Sequence, residues 1–88
     1  MKLYVGMDVS LKETSICVVD GSGEILSEGT VISEPSAIAE FIKAKAAGAV
    51  RIGLETGPTT TWLWHELRGL GLPVIYIDAR HAKAALSL

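Results

Sequence analysis

Apolar and polar positions alternate strictly at the start of the chain. From Lys2 to Val9, Leu3, Val5 and Met7 fall on one side and Tyr4, Gly6 and Asp8 on the other. That period of two predicts a strand with Asp8 near its end. Leu11–Thr14 reads as a polar turn, and Ser15–Asp20 as a second strand. Asp20-Gly21-Ser22-Gly23 predicts a hairpin turn, because glycine accepts the positive φ that tight turns require. Glu24–Ile32 predicts a third strand, carrying Ile25, Leu26, Val31 and Ile32. Three successive strands on short turns form an antiparallel meander.

The period then lengthens. Ser33 is expected to cap a helix with Glu34 and Pro35 in its first turn. Ile38, Phe41 and Ile42 recur at helical spacing, and Gly48 ends the run. Val50–Glu55 predicts a strand with Val50, Ile52 and Leu54 on one face. Gly57-Pro58 breaks the chain. Thr59–Leu70 predicts a second helix with Leu63, Leu67 and Leu70 on one stripe, and Gly69, Gly71 and Pro73 punctuate its end. Val74–Asp78 predicts a buried strand, and Ala79–Leu88 a third helix. The order is β-β-β-α-β-α-β-α. Strands separated by helices are expected to be parallel, with right-handed crossovers. The expected fold is therefore α/β: a mixed sheet with helices packed on it. That layout occurs in the ribonuclease H-like group and in one lobe of the actin-like ATPases, and fold alone does not choose between their functions.

Composition narrows the classes. At 88 residues the chain is one domain or part of one. Hydrophobic residues make up 49% and charged residues 20%, which excludes an intrinsically disordered chain. The net charge of −2 excludes a basic nucleic-acid tail or a polybasic membrane segment. A single cysteine, Cys17, excludes an intramolecular disulfide and a cysteine-based zinc site, and it reads as a small core residue. No apolar run approaches the ~20 residues of a bilayer span, and the N-terminus lacks a signal-peptide layout, so a cytoplasmic location is expected. Mean hydropathy is +0.38, high for so small a domain, which suggests that one face is covered by something further.

Apart from Asp20, which opens the hairpin turn, three of the expected strands end in a carboxylate: Asp8, Glu55 and Asp78. In open α/β sheets ligands gather beyond the carboxyl ends of parallel strands. If the first and fourth strands are neighbours, Asp8 and Glu55 share one rim. Two such acids repel unless a cation lies between them, and Mg²⁺ takes oxygen ligands of this kind together with substrate phosphate. A solvated turn former is the alternative for each acid. Gly6 shares a strand face with Asp8 and leaves room for a close approach. Ser10 and Lys12 follow Asp8 and are candidates for meeting a phosphate; an ordinary exposed turn lysine is the alternative for Lys12. Beyond Glu55, a glycine turn leads into a helix start whose free N–H groups suit an anion, while Thr59 or Thr60 serves equally as an N-cap. Arg80, His81 and Lys83 lie just past the last strand as a candidate backbone-contact patch. Trp62 is expected in the core, Trp64 is open between core and partner contact, and His65 is expected at or near the surface.

The ordered series Gly6-Met7-Asp8-Val9-Ser10, Leu54-Glu55-Thr56-Gly57, Leu67-Arg68-Gly69-Leu70-Gly71-Leu72-Pro73-Val74 and Asp78-Ala79-Arg80-His81-Ala82-Lys83 resembles the N-terminal domain of the DEDD insertion-sequence transposases. That group includes the pilin gene inverting recombinase. The resemblance implies a Holliday-junction-resolvase-like (RuvC-like) ribonuclease H fold in which four acids bind Mg²⁺ or Mn²⁺ for DNA strand cleavage and exchange. Asp8 matches the first acid and Glu55 the second. The other two belong to a Lys-Thr-Asp-x-x-Asp motif, expected to begin about where this sequence ends, so residues 1–88 read as an N-terminal fragment of the catalytic domain. The resemblance further implies DNA, a structured guide RNA, the remainder of a transposase chain with a serine-bearing C-terminal domain, and a homo-oligomer as partners. On this reading the chain alone binds metal weakly and does not cleave.

Two other classes stay open. In an actin-like or sugar-kinase-like ATP-binding lobe, Asp8 would serve Mg·ATP and the Gly21-Ser22-Gly23 turn would lie near phosphate; such proteins usually carry glycine where this chain has Ser10. In a non-catalytic interaction module, the carboxylates would be incidental.

Overall fold

The computed structural model describes residues 2–55 and 60–77, with backbone alone at 55, 60 and 77. Its elements are β1 (Leu3–Val9), β2 (Glu13–Asp20), β3 (Ile25–Ile32), α1 (Pro35–Lys45), β4 (Arg51–Glu55), α2 (Thr60–Gly69) and β5 (Val74–Ile77). The five strands form one mixed sheet in the order β3-β2-β1-β4-β5. β1–β2 and β2–β3 pair antiparallel, while β1–β4 and β4–β5 pair parallel. The meander and the parallel half are therefore both as the periodicity predicts. Asp78 and the expected third helix lie outside the described residues.

Alternation along the strands decides which side is covered. Val5 and Met7 of β1, Ile16 and Val18 of β2, Ile52 and Leu54 of β4 and Val74 of β5 form one buried cluster with Ile38 and Ile42 of α1 and Leu63 and Leu67 of α2. Both helices thus pack on the same face of the sheet. Each such buried side chain contributes about 1.5–3 kcal/mol relative to exposure. The opposite face carries a smaller cluster of Tyr4 and Val19 with the half-buried Cys17. Cys17 is therefore a partly covered packing residue rather than a member of the main core.

The last strand was expected to be buried, but of its described side chains only Val74 is; Ile75 and Tyr76 are exposed, because β5 stands at the end of the described sheet. Four further expectations about individual positions fail, each for a local reason. Leu70 is 56% exposed, because α2 ends at Gly69 and Leu70 falls in the following turn; Leu72, whose N–H bonds back to the Leu67 carbonyl at 3.2 Å, packs on the core instead. Trp62 is also 56% exposed. It sits about 100° from the inward Leu63 and about 140° from the inward Leu67, whereas Trp64 is only about 60° from Leu67. Half-buried Trp64 is the indole that packs on the core. Val50 is exposed because the strand begins only at Arg51, although the Val50 N–H already bonds the Leu3 carbonyl at 2.8 Å. Finally, Glu34 rather than Ser33 occupies the N-cap of α1, and makes no side-chain cap bond. Pro35 stands at the start of the helix, where its missing N–H costs nothing. The Ser33 hydroxyl is engaged elsewhere, as described below.

Candidate functional site

β1 and β4 run side by side in register from Tyr4 opposite Arg51 to Met7 opposite Leu54. The next residue of each strand is an acid: Asp8 on β1 and Glu55 on β4. Neighbouring strands lie about 4.8 Å apart, so the backbone sets the two acids next to one another at the carboxyl ends of parallel strands. Asp8 is exposed, and alternation from buried Met7 turns it away from the helix-covered face. Two residues earlier, Gly6 pairs with Gly53. The step below the acids on that face therefore carries no side chain from either strand. Gly53 was not among the sequence candidates; its signal is that it shares the alternation of Glu55 two residues on.

The turn after β1 is pinned by hydroxyl groups. The Ser10 N–H and Ser10 Oγ both donate to the Glu13 carbonyl, at 3.0 and 2.6 Å. The Ser33 N–H donates to the Lys12 carbonyl at 2.9 Å, and Ser33 Oγ to the Ser10 carbonyl at 2.7 Å. Ser33 has a single hydroxyl proton, so the 2.9 Å contact with Thr14 Oγ1 is one in which Thr14 donates. Thr14 is fully buried. This chain of bonds ties the segment that follows Asp8 to the junction before α1.

The candidate phosphate contacts divide. Lys12 is exposed on the pinned turn. Ser10 is exposed too, but its proton is held by Glu13, which leaves its lone pairs outward. Arg80, His81 and Lys83 lie outside the described residues, as does the glycine turn after Glu55. His65 is exposed on α2, as expected. Among the described residues no three His, Cys, Asp or Glu side chains converge on a metal-sized site. Any ion held here would take further ligands from water, phosphate or other residues. Among those residues, too, no helix is long and apolar enough to cross a membrane.

One cluster was only partly legible. Trp64 of α2 stacks on Tyr76 of β5, with ring centroids 5.5 Å apart and planes 13° from parallel. The Arg68 guanidinium lies 5.2 Å from the Trp64 ring centre, and His65 meets Trp64 edge-on at 4.9 Å. The i, i+4 spacing of Trp64 and Arg68 is a sequence signal; the partnership with Tyr76 needs the α2–β5 packing.

Residues 5–87, which include both acids, match the IS110-type DEDD transposase family. The chain belongs to that family. No curated protein matches it. Among solved structures, the transposase-family chain is similar to a ROK family glucokinase from Streptomyces griseus, at 22% identity over 86% of this chain and 33% of that one, with a TM-score of 0.59. It is likewise similar to an inorganic polyphosphate/ATP-glucomannokinase from Arthrobacter sp. strain KM, at 17% identity over 100% of this chain and 50% of that one, with a TM-score of 0.61. The chain thus spans half or less of either kinase, and the likeness is one of fold.

Proposed function

We propose that this chain forms part of the metal-dependent catalytic domain of a DNA transposase, with a ribonuclease H-like (RuvC-like) fold and with Asp8 and Glu55 as ligands of Mg²⁺ or Mn²⁺. One observation carries the reading: the β1–β4 register, which makes these two acids neighbours at the carboxyl ends of parallel strands. Side by side, two carboxylates repel, and a divalent cation with oxygen ligands relieves that repulsion. Such an ion supplies charge stabilisation at the oxygens of a phosphodiester. The chain's own contribution is to hold the two carboxylates on a rigid sheet and to fix the turn beyond Asp8, from which Lys12 approaches a backbone phosphate. Arg80, His81 and Lys83 extend that contact on this reading, and DNA is the partner. A guide RNA and a second transposase copy remain partners inferred from the family resemblance.

The test is strand cleavage by the transposase carrying Asp8→Ala or Glu55→Ala. Each is expected to lower Mg²⁺- or Mn²⁺-dependent nicking by at least about 100-fold, the upper range for losing mere supporting contacts at a metal site. Recombination that survives both changes sinks the reading in favour of an interaction module. The kinase-like fold makes ATP binding worth the same scrutiny: saturable binding in a calorimetric titration, lost in Asp8→Ala, would move the assignment to an ATP-binding lobe.

A further inference from the structure

We propose that the free edge of β3 pairs antiparallel with β3 of a second copy of this chain, joining two sheets into one. This assembly contact lies apart from the acid rim and goes beyond the metal reading.

β3 ends the sheet, and among the described residues no strand lies beyond it. Hydrogen bonds fix which backbone groups it offers. The Ser33 N–H bonds the Lys12 carbonyl, so Lys12 and Ser33 form a hydrogen-bonded pair. Bonded and non-bonded pairs alternate along an antiparallel ladder. In the observed register Thr14 with Val31 and Ile16 with Gly29 are then bonded pairs. Glu13 with Ile32, Ser15 with Thr30 and Cys17 with Glu28 are non-bonded ones. The Glu13 carbonyl agrees, since it turns away from β3 to accept from the Ser10 N–H. The N–H and C=O groups of Glu28, Thr30 and Ile32 therefore point outward along the free edge.

Such a row is a template for another strand, and natural edges are blunted by shortness, proline, lysine or a bulge. β3 is eight residues long and holds neither proline nor lysine; Glu28 is its only charged residue. Its one irregularity lies toward the hairpin, opposite Val18 and Val19, and leaves residues 27–32 in regular register.

The strand is complementary to itself. A twofold axis through Gly29 sets Glu28 against Thr30 of the second copy and Leu26 against its Ile32, matching outward groups with outward groups. An axis through Glu28 would put two carboxylates face to face, and one through Thr30 would set Ile32 against Glu28. Leu26 and Ile32 are 45% and 54% exposed, and alternation puts both on the face opposite α1, where each covers the other. On the α1 side, half-buried Phe41 lies over Gly29 so closely that a Cβ there would meet its ring. Non-bonded partners have Cα atoms about 4.5 Å apart, so the same axis brings the two Phe41 rings together. An unrelated extended peptide would match the backbone groups but not this symmetric set.

Sedimentation velocity of the full chain, from micromolar to millimolar concentration, tests the contact. Wild type is expected to pass from monomer to dimer as concentration rises. Thr30→Pro deletes an outward N–H without touching the β2 ladder, so the dimer should vanish while the melting temperature of the dilute chain stays near that of wild type. Thr30→Asp sets a carboxylate against Glu28 of the second copy, twice per dimer, and should weaken it about 2- to 30-fold. Thr30→Lys should tighten it by a similar factor, and Glu28→Lys added to Thr30→Asp should recover the loss. Asp8→Ala should dimerise like wild type, which keeps this result separate from that of the metal site. A chain that stays monomeric throughout overturns the proposal. So does a dimer that persists in a folded Thr30→Pro chain, or one that responds alike to Thr30→Asp and Thr30→Lys.

Discussion

Thr14 has one hydroxyl proton and no access to water, and its partner is Ser33. Replacing Ser33 by alanine strands a buried donor, and a buried polar group without a partner costs about 1–3 kcal/mol. Ser33→Ala should therefore destabilise the chain by that amount in urea unfolding. Thr14→Val removes the donor along with its need, so adding it to Ser33→Ala should cost less than the sum of the single changes. Additive losses would mean that the two hydroxyls act separately. This pair was only half legible in the sequence. Ser33 reads as a helix cap because serine before Glu-Pro has that local meaning, but a contact across 19 residues with Thr14 outbids it. Gly29 is a similar case: a Cβ there would stand 2.5 Å from Phe41 Cε2, a constraint written in the packing of α1 on β3 and not in any local pattern.

Among the elements, the β2–β3 hairpin makes the clearest electrostatic prediction. Asp20 Oδ1 accepts from Ser22 Oγ at 2.6 Å, from the Ser22 N–H at 2.9 Å and from the Glu24 N–H at 3.0 Å. The Ser22 hydroxyl bond first, and then the Glu24 N–H, hold the Asp20 carboxyl below its ordinary value. A carboxylate whose folded value is depressed stabilises the fold fully above the unfolded value, about 3.9, and loses that contribution as pH falls through the folded one. The difference in Tm between wild type and Asp20→Asn should accordingly be constant near neutrality and shrink in acid below about pH 4. A gap that widens in acid would contradict the assignment. Element type and order were readable from periodicity, because period-two and period-3.6 runs are separated by Gly, Pro and Asp-Gly punctuation. Turn detail was less so. Of the two turn glycines, only Gly23 takes positive φ, at 88°, and Gly21 serves without it. The expected placement of Trp62 failed because two indoles on either side of one buried leucine leave the helix phase to be set by tertiary contact.

For the molecule as a whole, the sequence carried the antiparallel meander and the parallel half of the sheet, while the adjacency of the first and fourth strands was only a condition of the reading, which the observed strand order meets and which sets the backbones of Asp8 and Glu55 side by side. It did not carry the shared side taken by α1 and α2, or the Trp64–Tyr76 stack, since both depend on how helices settle on the sheet. If the rim takes a divalent cation, Mn²⁺ binds only the folded chain and raises its melting temperature. At a concentration of 100 times Kd the gain is about 2.7 kcal/mol. Asp8→Asn should abolish that gain, and in metal-free buffer should be no less stable than wild type, because one of two neighbouring charges is gone. A wild-type response to Mn²⁺ that survives in Asp8→Asn would place the ion elsewhere.

The parallel pairing of β1 with β4 also has a bearing on biosynthesis. Asp8 leaves the ribosome early, but its neighbour arrives only after the hairpin strands and the α1 crossover have been made. Contacts that distant in the chain form late, because the intervening loop must close first. A half-synthesised polypeptide therefore presents one lone carboxylate and no paired rim. The paired rim itself cannot exist before β4 has been made.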